Sequence, residues 1–277
     1  MVAALTGAVV MVAFGRWFSF YTPQQAVGAI DFETIALLLG MMIVVGLFKE
    51  TGFFEYLAVR TTKLAGGRPW LLLICLGLMT SLVSMFLDNV TTIIMMLPVT
   101  VSIADILAIP AVPLLMGEAM LSNVGGVATL IGDPPNILIG SAAGFSFTDF
   151  LIHLAPIVLV TWIVVQGFLL IAFRRALVRR PANVSRIMAM DASRAIVDRR
   201  TTIRMLIVLG VTIILYLVHE RLGLGPGMVA LIGACMGLVW IWPDVNRVLR
   251  EVHWDVLIFF VSLFVIVGGL ESAGVLD

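Results

Sequence analysis

The 277-residue sequence predicts an all-α membrane protein arranged as an inverted repeat, with a re-entrant hairpin, a broken helix and a truncated second repeat. Three observations predict it. Mean hydropathy is +1.13, and charged residues make up 12% of the chain where an ordinary soluble domain has about 25%. With 61% hydrophobic residues, the apolar surface exceeds what one core could hide, so lipid must act as solvent. Uncharged runs recur along the chain, and two parts of it resemble each other at a nearly constant spacing.

The runs fall near 2–15, 34–48, 69–87, 89–104, 150–173, 205–218, 222–243 and 256–270. Several are shorter than the roughly 20 residues a straight spanning helix needs, which suggests broken helices or ends that snorkel. The N-terminus lacks the charged region of a signal peptide, so residues 2–15 read as a span or part of one. Between 49 and 69, Lys49, Arg60, Lys63 and Arg68 alternate with aromatics, the pattern of an amphipathic helix on a membrane surface. Nine of the seventeen Lys and Arg residues lie between Arg174 and Arg204. A basic run this dense beside spans marks the cytoplasmic side. No aromatic residue interleaves these arginines, so no nucleic-acid partner is expected. The domains expected are a first membrane half at 1–173, a basic cytoplasmic linker at 174–204, and the start of a second repeat at 205–277.

A shift of 222 sets residues 33–54 against 255–276, matching Val45 with Val267, Gly46 with Gly268 and Gly52 with Gly274. A shift of 226 sets "ALTGA" (4–8) against "ALIGA" (230–234). If the loop at 49–69 and the linker at 174–204 share a side, counting crossings sends 34–48 toward the cytoplasm and 256–270 away from it. Similar segments of opposite orientation are what an inverted repeat requires, the architecture of many secondary transporters. The first unit continues for about 120 residues past Phe54, whereas the second stops at Asp277, so the chain is expected to be a fragment lacking about one helix at the front and most of the second repeat.

Two stretches place polar groups where lipid penalises them. In "SLVSMFLDNVTTIIMMLP", Asp88, Asn89, Thr91 and Thr92 interrupt two apolar arms. A charged Asp at mid-bilayer costs at least about 2.5 kcal/mol, so it should face protein or a water-filled cavity. A re-entrant hairpin over 69–109 with its tip at Asp88 and Asn89 satisfies this. The competing reading, a plain loop between two full spans, requires a two-residue exposed loop. In "SNVGGVATLIGDPPNILIG", Gly125 and Gly126 permit non-helical backbone, and Pro134 and Pro135 remove amide donors. Such backbone is tolerated at membrane depth only if buried in protein or lining a cavity, so 111–143 reads as a helix broken to build a binding site. Ser122, Asn123, Thr129, Asp133 and Asn136 supply oxygens suited to hard cations such as sodium. An intramembrane Asp would also carry a coupling proton, because burial disfavours its charged form. The competing reading here is an external loop after a short span.

Other polar residues carry weaker signals. His153, His219 and His253 lack metal-ligand spacing, Cys75 and Cys235 sit in apolar runs, and the sequence does not decide whether Glu118 is buried or at a helix end. Asp105 and Asp149 read as cap or interface residues. The Met pairs at 41–42 and 95–96 read as lipid-facing or packing residues.

"LDNVTT" (87–92) followed by "SNVGGVATLIGDPPN" (122–136) resembles the arsenite permease and NhaD-type antiporter group of the ion transporter superfamily, within it the branch containing the melanosomal P protein, with a citrate transporter-like membrane domain. The resemblance is clear over roughly residues 30 to 175. It implies scaffold and transport domains in each protomer, a homodimer, and an elevator-like motion. It also implies an ion or substrate site at Asp88, Asn89, Thr91, Thr92, Ser122, Asn123, Gly125, Gly126, Thr129, Asp133, Pro134 and Asn136, with sodium at Asp88, Asn89, Asn123 and Gly125. Related dicarboxylate transporters carry a Ser-Asn-Thr tip and a "TPPN" run; the acids here would repel a carboxylate and suit cation or proton exchange.

The function expected is secondary-active transport of a small ion across the plasma or inner membrane, arsenite permease- or antiporter-like and coupled to H+ or Na+, with no cofactor beyond that ion. The partners expected are the lipid bilayer and the small-ion substrate. A sodium-coupled citrate or dicarboxylate transporter and a passive anion or cation channel are the alternatives. No enzyme is expected: an intramembrane aspartyl dyad of Asp88 and Asp133 would need glycine at position 130, which is Leu.

Overall fold

The computed structural model describes residues 1–178 and 181–275. Arg179 and Arg180 of the basic linker, and Leu276 and Asp277 at the end of the expected second repeat, lie outside the described residues. The described chain is helical: α1 (Val2–Trp17), α2 (Pro23–Gly28), α3 (Phe32–Lys49), α4 (Phe53–Leu64), α5 (Pro69–Ser84), α6 (Asn89–Leu107), α7 (Val112–Gly126), α8 (Pro134–Ala143), α9 (Phe147–Ala172), α10 (Arg174–Leu177), α11 (Val184–Ala189), α12 (Arg199–Val218), α13 (Pro226–Ile241), α14 (Val245–Glu251) and α15 (Trp254–Ser272). Phe32–Lys49, Asn89–Leu107, Phe147–Ala172, Arg199–Leu222 and Trp254–Ser272 are long and apolar enough to cross a membrane. The protein is an all-α, multi-pass membrane protein.

Local chemistry sets the helix starts. Asp31 caps α3 by accepting from the amides of Glu33 at 3.0 Å and Thr34 at 3.2 Å, and Asp198 caps α12 in the same way. Ser146 and Asp149 form a reciprocal capping box that starts α9. Pro69 and Pro226 open α5 and α13, where a missing amide proton costs nothing. On α9, Ile152, Ile157, Val160, Ile163, Val164, Phe168 and Ile171 are exposed, as a lipid-facing surface requires.

Small residues bring helices together in three places. In the first, α3 and α13 run parallel, with Gly40 against the Ala230 backbone and Leu47 over Gly237. Likewise α1 and α15 run parallel, with Gly7 beside Ile266 and Met11 over Gly269, and the Tyr21 hydroxyl donates to the Val265 carbonyl at 3.1 Å. Finally α5 and α7 run parallel, with Leu73 over Gly117, Leu121 over Gly77 and Gly125 on the Ser81 backbone. Without a hydrophobic force between helices in lipid, close packing of this kind holds them together. The Ser81 hydroxyl adds a bond to the Leu121 carbonyl at 2.7 Å and accepts from the Trp162 indole at 3.0 Å.

Two segments make contacts that their sequence-based reading left open. Helix α4 buries Phe54, Ala58, Val59 and Thr62 against α5 and α6, so its apolar face meets protein there. The described part of the linker folds back on the helix ends. Ala182 donates to the Leu107 carbonyl at 2.8 Å, Val197 donates to the Thr51 carbonyl at 3.1 Å, and Ile187 is buried. The ends of α3 and α6 therefore share one face with the linker, and α14 joins them there through Lys49–Glu251 at 2.5 Å and Arg247–Glu50 at 2.7 Å. Of the two Met pairs, Met41, Met95 and Met96 are buried and pack in the core.

Candidate functional site

The α5–α7 register continues into the site. Residues facing each other across the pair are 44 apart: Leu73 and Gly117, Gly77 and Leu121, Ser81 and Gly125. Beyond the ends of both helices the same spacing joins the Thr129 hydroxyl to the Met85 carbonyl, and Asn89 Nδ2 to Asp133 Oδ2 at 3.4 Å. Helix α5 stops at Ser84 and α7 at Gly126, so both strands of the pair lose helical structure at one level. Chain continues from that level as α6 on one side and, after residues 127–133, as α8 on the other.

The hairpin tip is Asp88 and Asn89. Asp88 caps α6, its Oδ1 accepting from the Thr91 amide at 2.8 Å. It lines small cavities beside Met41, Met42 and Val45 in the middle of α3. The tip therefore stands next to the centre of a spanning helix. Asn89 bridges the two broken segments, donating to Asn123 Oδ1 as well as toward Asp133. The Ser122 hydroxyl touches Ser84 Oγ at 3.4 Å and donates to the Asn89 carbonyl at 3.3 Å. Thr92 is buried with an unpartnered hydroxyl.

The remaining predicted site residues brace the unwound backbone. Thr129 donates to Met85 and accepts from the Gly132 amide at 3.1 Å. Asn136 is buried and donates to the carbonyls of Gly126 and Thr129, each at 2.9 Å. These bonds satisfy groups that a broken helix leaves open. Gly125 presses on Ser81, and its carbonyl accepts from Ala128. Gly126 packs against Gly132, and at Gly132 the Gly126 carbonyl leaves no space for a side chain. Pro134 starts α8 and lines the cavity that Asp88 also lines. Of the four residues expected to hold sodium, Asp88, Asn89 and Asn123 gather at the tip, while Gly125 serves the α5–α7 contact. Among the described residues, no three His, Cys, Asp or Glu side chains cluster as a metal site.

Sequence reasoning missed three side chains around Asp88. Lys49, Glu251 and His253 line the same cavity of about 60 Å³. Nothing local could have found them, because α14 and the start of α15 reach the tip only through tertiary packing. His219 is buried after α12, with Nδ1 at 2.9 Å from the Leu224 carbonyl, and takes no part in the site.

The whole chain, residues 1–277, matches the citrate transporter family CitMHS. It belongs to this family. Among its relatives is the 46 kDa membrane protein of Mycobacterium leprae, 42% identical over 99% of this chain and 64% of that protein. An uncharacterized transporter of Mycobacterium tuberculosis is also 42% identical, with the same coverage. The P protein of Sus scrofa is 31% identical over 92% of this chain and 39% of its own length. This citrate transporter family member thus spans about 64% of the length of the first two relatives. The family's description and the name of the Mycobacterium tuberculosis relative are those of transporters.

Proposed function

We propose that this chain carries the ion site of a secondary-active transporter that moves a small ion in exchange or symport with H+ or Na+, by elevator-like displacement of a transport unit past a scaffold. The observation that carries the reading is the meeting of two broken segments at one level. There Asn89 bridges Asn123 and Asp133, while its neighbour Asp88 lines a cavity with Met41, Met42 and Val45 in the middle of α3. Two acids beside neutral amides, with Lys49 of the Asp88 cavity already paired to Glu251, favour a cation or proton, and loading would neutralise them for passage through a low-dielectric barrier. The empty charged site would cross poorly, which gives coupling.

An inverted repeat supports this reading. Shifts of 226 and 222 carry the Met11–Gly269 contact onto Gly237–Leu47. A pseudo-two-fold axis would relate α1 to α13 and α3 to α15 in this way. Helices α1, α3, α13 and α15 would be the scaffold, and α5 to α9 the transport unit. We assign the protein to the plasma or inner membrane as a homodimer, with the linker on the cytoplasmic face, where its arginines resist translocation. The family's description favours one second reading, sodium-coupled transport of citrate or a dicarboxylate.

Full-length protein in proteoliposomes tests both readings. With voltage clamped by an ionophore, sodium, citrate, arsenite and chloride are offered in turn under imposed pH and sodium gradients. Saturable flux that follows a pH or sodium gradient is expected. Flux that follows voltage alone would mean a channel.

A further inference from the structure

Glu118 stands apart from the site. It lies in α7 with 1% of its surface exposed. Thr100 of α6 donates to its Oε1 at 2.7 Å, and its Oε2 is buried without a hydrogen-bond partner. A buried carboxylate needs several donors or a cation to replace its water, and Glu118 has one hydroxyl. The helices packed on α7 are α5, α6 and α9. Their titratable side chains are Cys75, Asp105, Asp149 and His153. Asp105, Asp149 and His153 are exposed, and Cys75 lines an apolar cavity toward α4. None of them faces Glu118, and α7 itself carries no other charge. Such surroundings suit a neutral carboxylic acid, which needs fewer partners than its anion.

We propose that Glu118 is an enclosed proton-binding site, protonated in this conformation and opened to water only when α6 and α7 part. Binding adds one proton from water to a carboxylate oxygen, and release returns it to water and leaves an anion that the packed helices disfavour. Ser122 lies one turn away on the same face of α7 and touches the tip at the Asn89 carbonyl, so a displacement of the tip reaches Glu118 through a single helix turn. In this role Glu118 supplies the coupling proton, while Asp88 and Asp133 are left to the transported ion. That assignment rests on the transport reading above.

Infrared spectroscopy of the full-length protein in lipid nanodiscs at neutral pH tests the proton directly. A carbonyl stretch of a protonated carboxyl is expected, lost in Glu118→Gln and kept in Asp88→Asn and Asp133→Asn. In Thr100→Val the band should move to higher frequency, since that variant removes the one donor; this arm stands even if Glu118→Gln does not fold. Absence of the band from wild type, or its indifference to both Glu118→Gln and Thr100→Val, overturns the site. Proteoliposomes loaded with a pH dye and pulsed with sodium chloride or sodium citrate test the coupling. Glu118→Gln should lose proton movement while keeping exchange of the probe ion. Unchanged proton movement overturns the coupling role. If wild type moves neither probe nor protons, the transport reading fails, and the infrared band still decides the proton site.

Discussion

Asp133 and Asn136 show how neighbouring polar residues in one broken stretch divide the work. Asp133 presents a half-buried carboxyl toward Asn89, whereas Asn136 spends its amide on two carbonyls of the unwound chain. Asp133→Asn is expected to abolish gradient-driven flux with little loss of stability, measured in proteoliposomes beside a melting curve. Asn136→Leu should do the reverse of a ligand change: it strands the Gly126 and Thr129 carbonyls, each at a cost of about 1–3 kcal/mol, and lowers the melting temperature. The residues of this site were legible in the sequence because breakers and oxygens are rare in so apolar a chain. Their division into proposed ligands and braces was not, since a Thr or Asn side chain looks the same in either role until its partner is known. Glu118 was undecided for the same reason: its burial depends on α6, not on its own neighbours.

At the scale of elements, the α5–α7 pair fixes where both helices end relative to each other. Gly125→Val would drive a side chain into the Ser81 backbone, and overpacking of this kind costs about 1–3 kcal/mol. Thermal unfolding in detergent should show the loss, and flux should fall with it because the tip shifts against Asp133. A second element-level contact joins the start of α3 to α8. Burial by itself would push the Asp31 carboxyl up, but hydrogen bonds from the Thr34 and Ser141 hydroxyls and the Thr34 and Glu33 amides outweigh it and hold Asp31 below the usual carboxylate range. A group depressed in the folded state stabilises it above its unfolded value and loses that contribution as pH falls. Asp31→Asn should therefore lower the melting temperature at pH 7, and the difference should begin to shrink only as pH falls below about 4, the unfolded value of an Asp, closing once pH is below the depressed folded value. Hydropathy made the helices readable, and their boundaries fall close to the runs. Whether an amphipathic segment such as α4 meets lipid or protein was not readable, because both reward the same apolar stripe.

For the whole molecule, the proposed displacement makes the α3–α8 junction a test. The Ser141 hydroxyl donates to Asp31 at 2.8 Å, joining the proposed scaffold to the transport unit. With Cys75 and Cys235 replaced, a disulfide between Asp31→Cys and Ser141→Cys should stop flux and release it on reduction; undiminished flux in the oxidised protein would count against sliding at this junction. Global pairing of α1 with α15 and of α3 with α13 lay beyond the sequence, since a few shared glycines set similarity but not contact.

The segment between Ala182 and Val197 is buttoned at one end to Leu107 and at the other to Thr51, with Ile187 tucked in between. It acts as a leash. While both buttons hold, the proposed transport unit would swing about the linker face without leaving it, and its proposed stroke would be greatest on the opposite face of the protein.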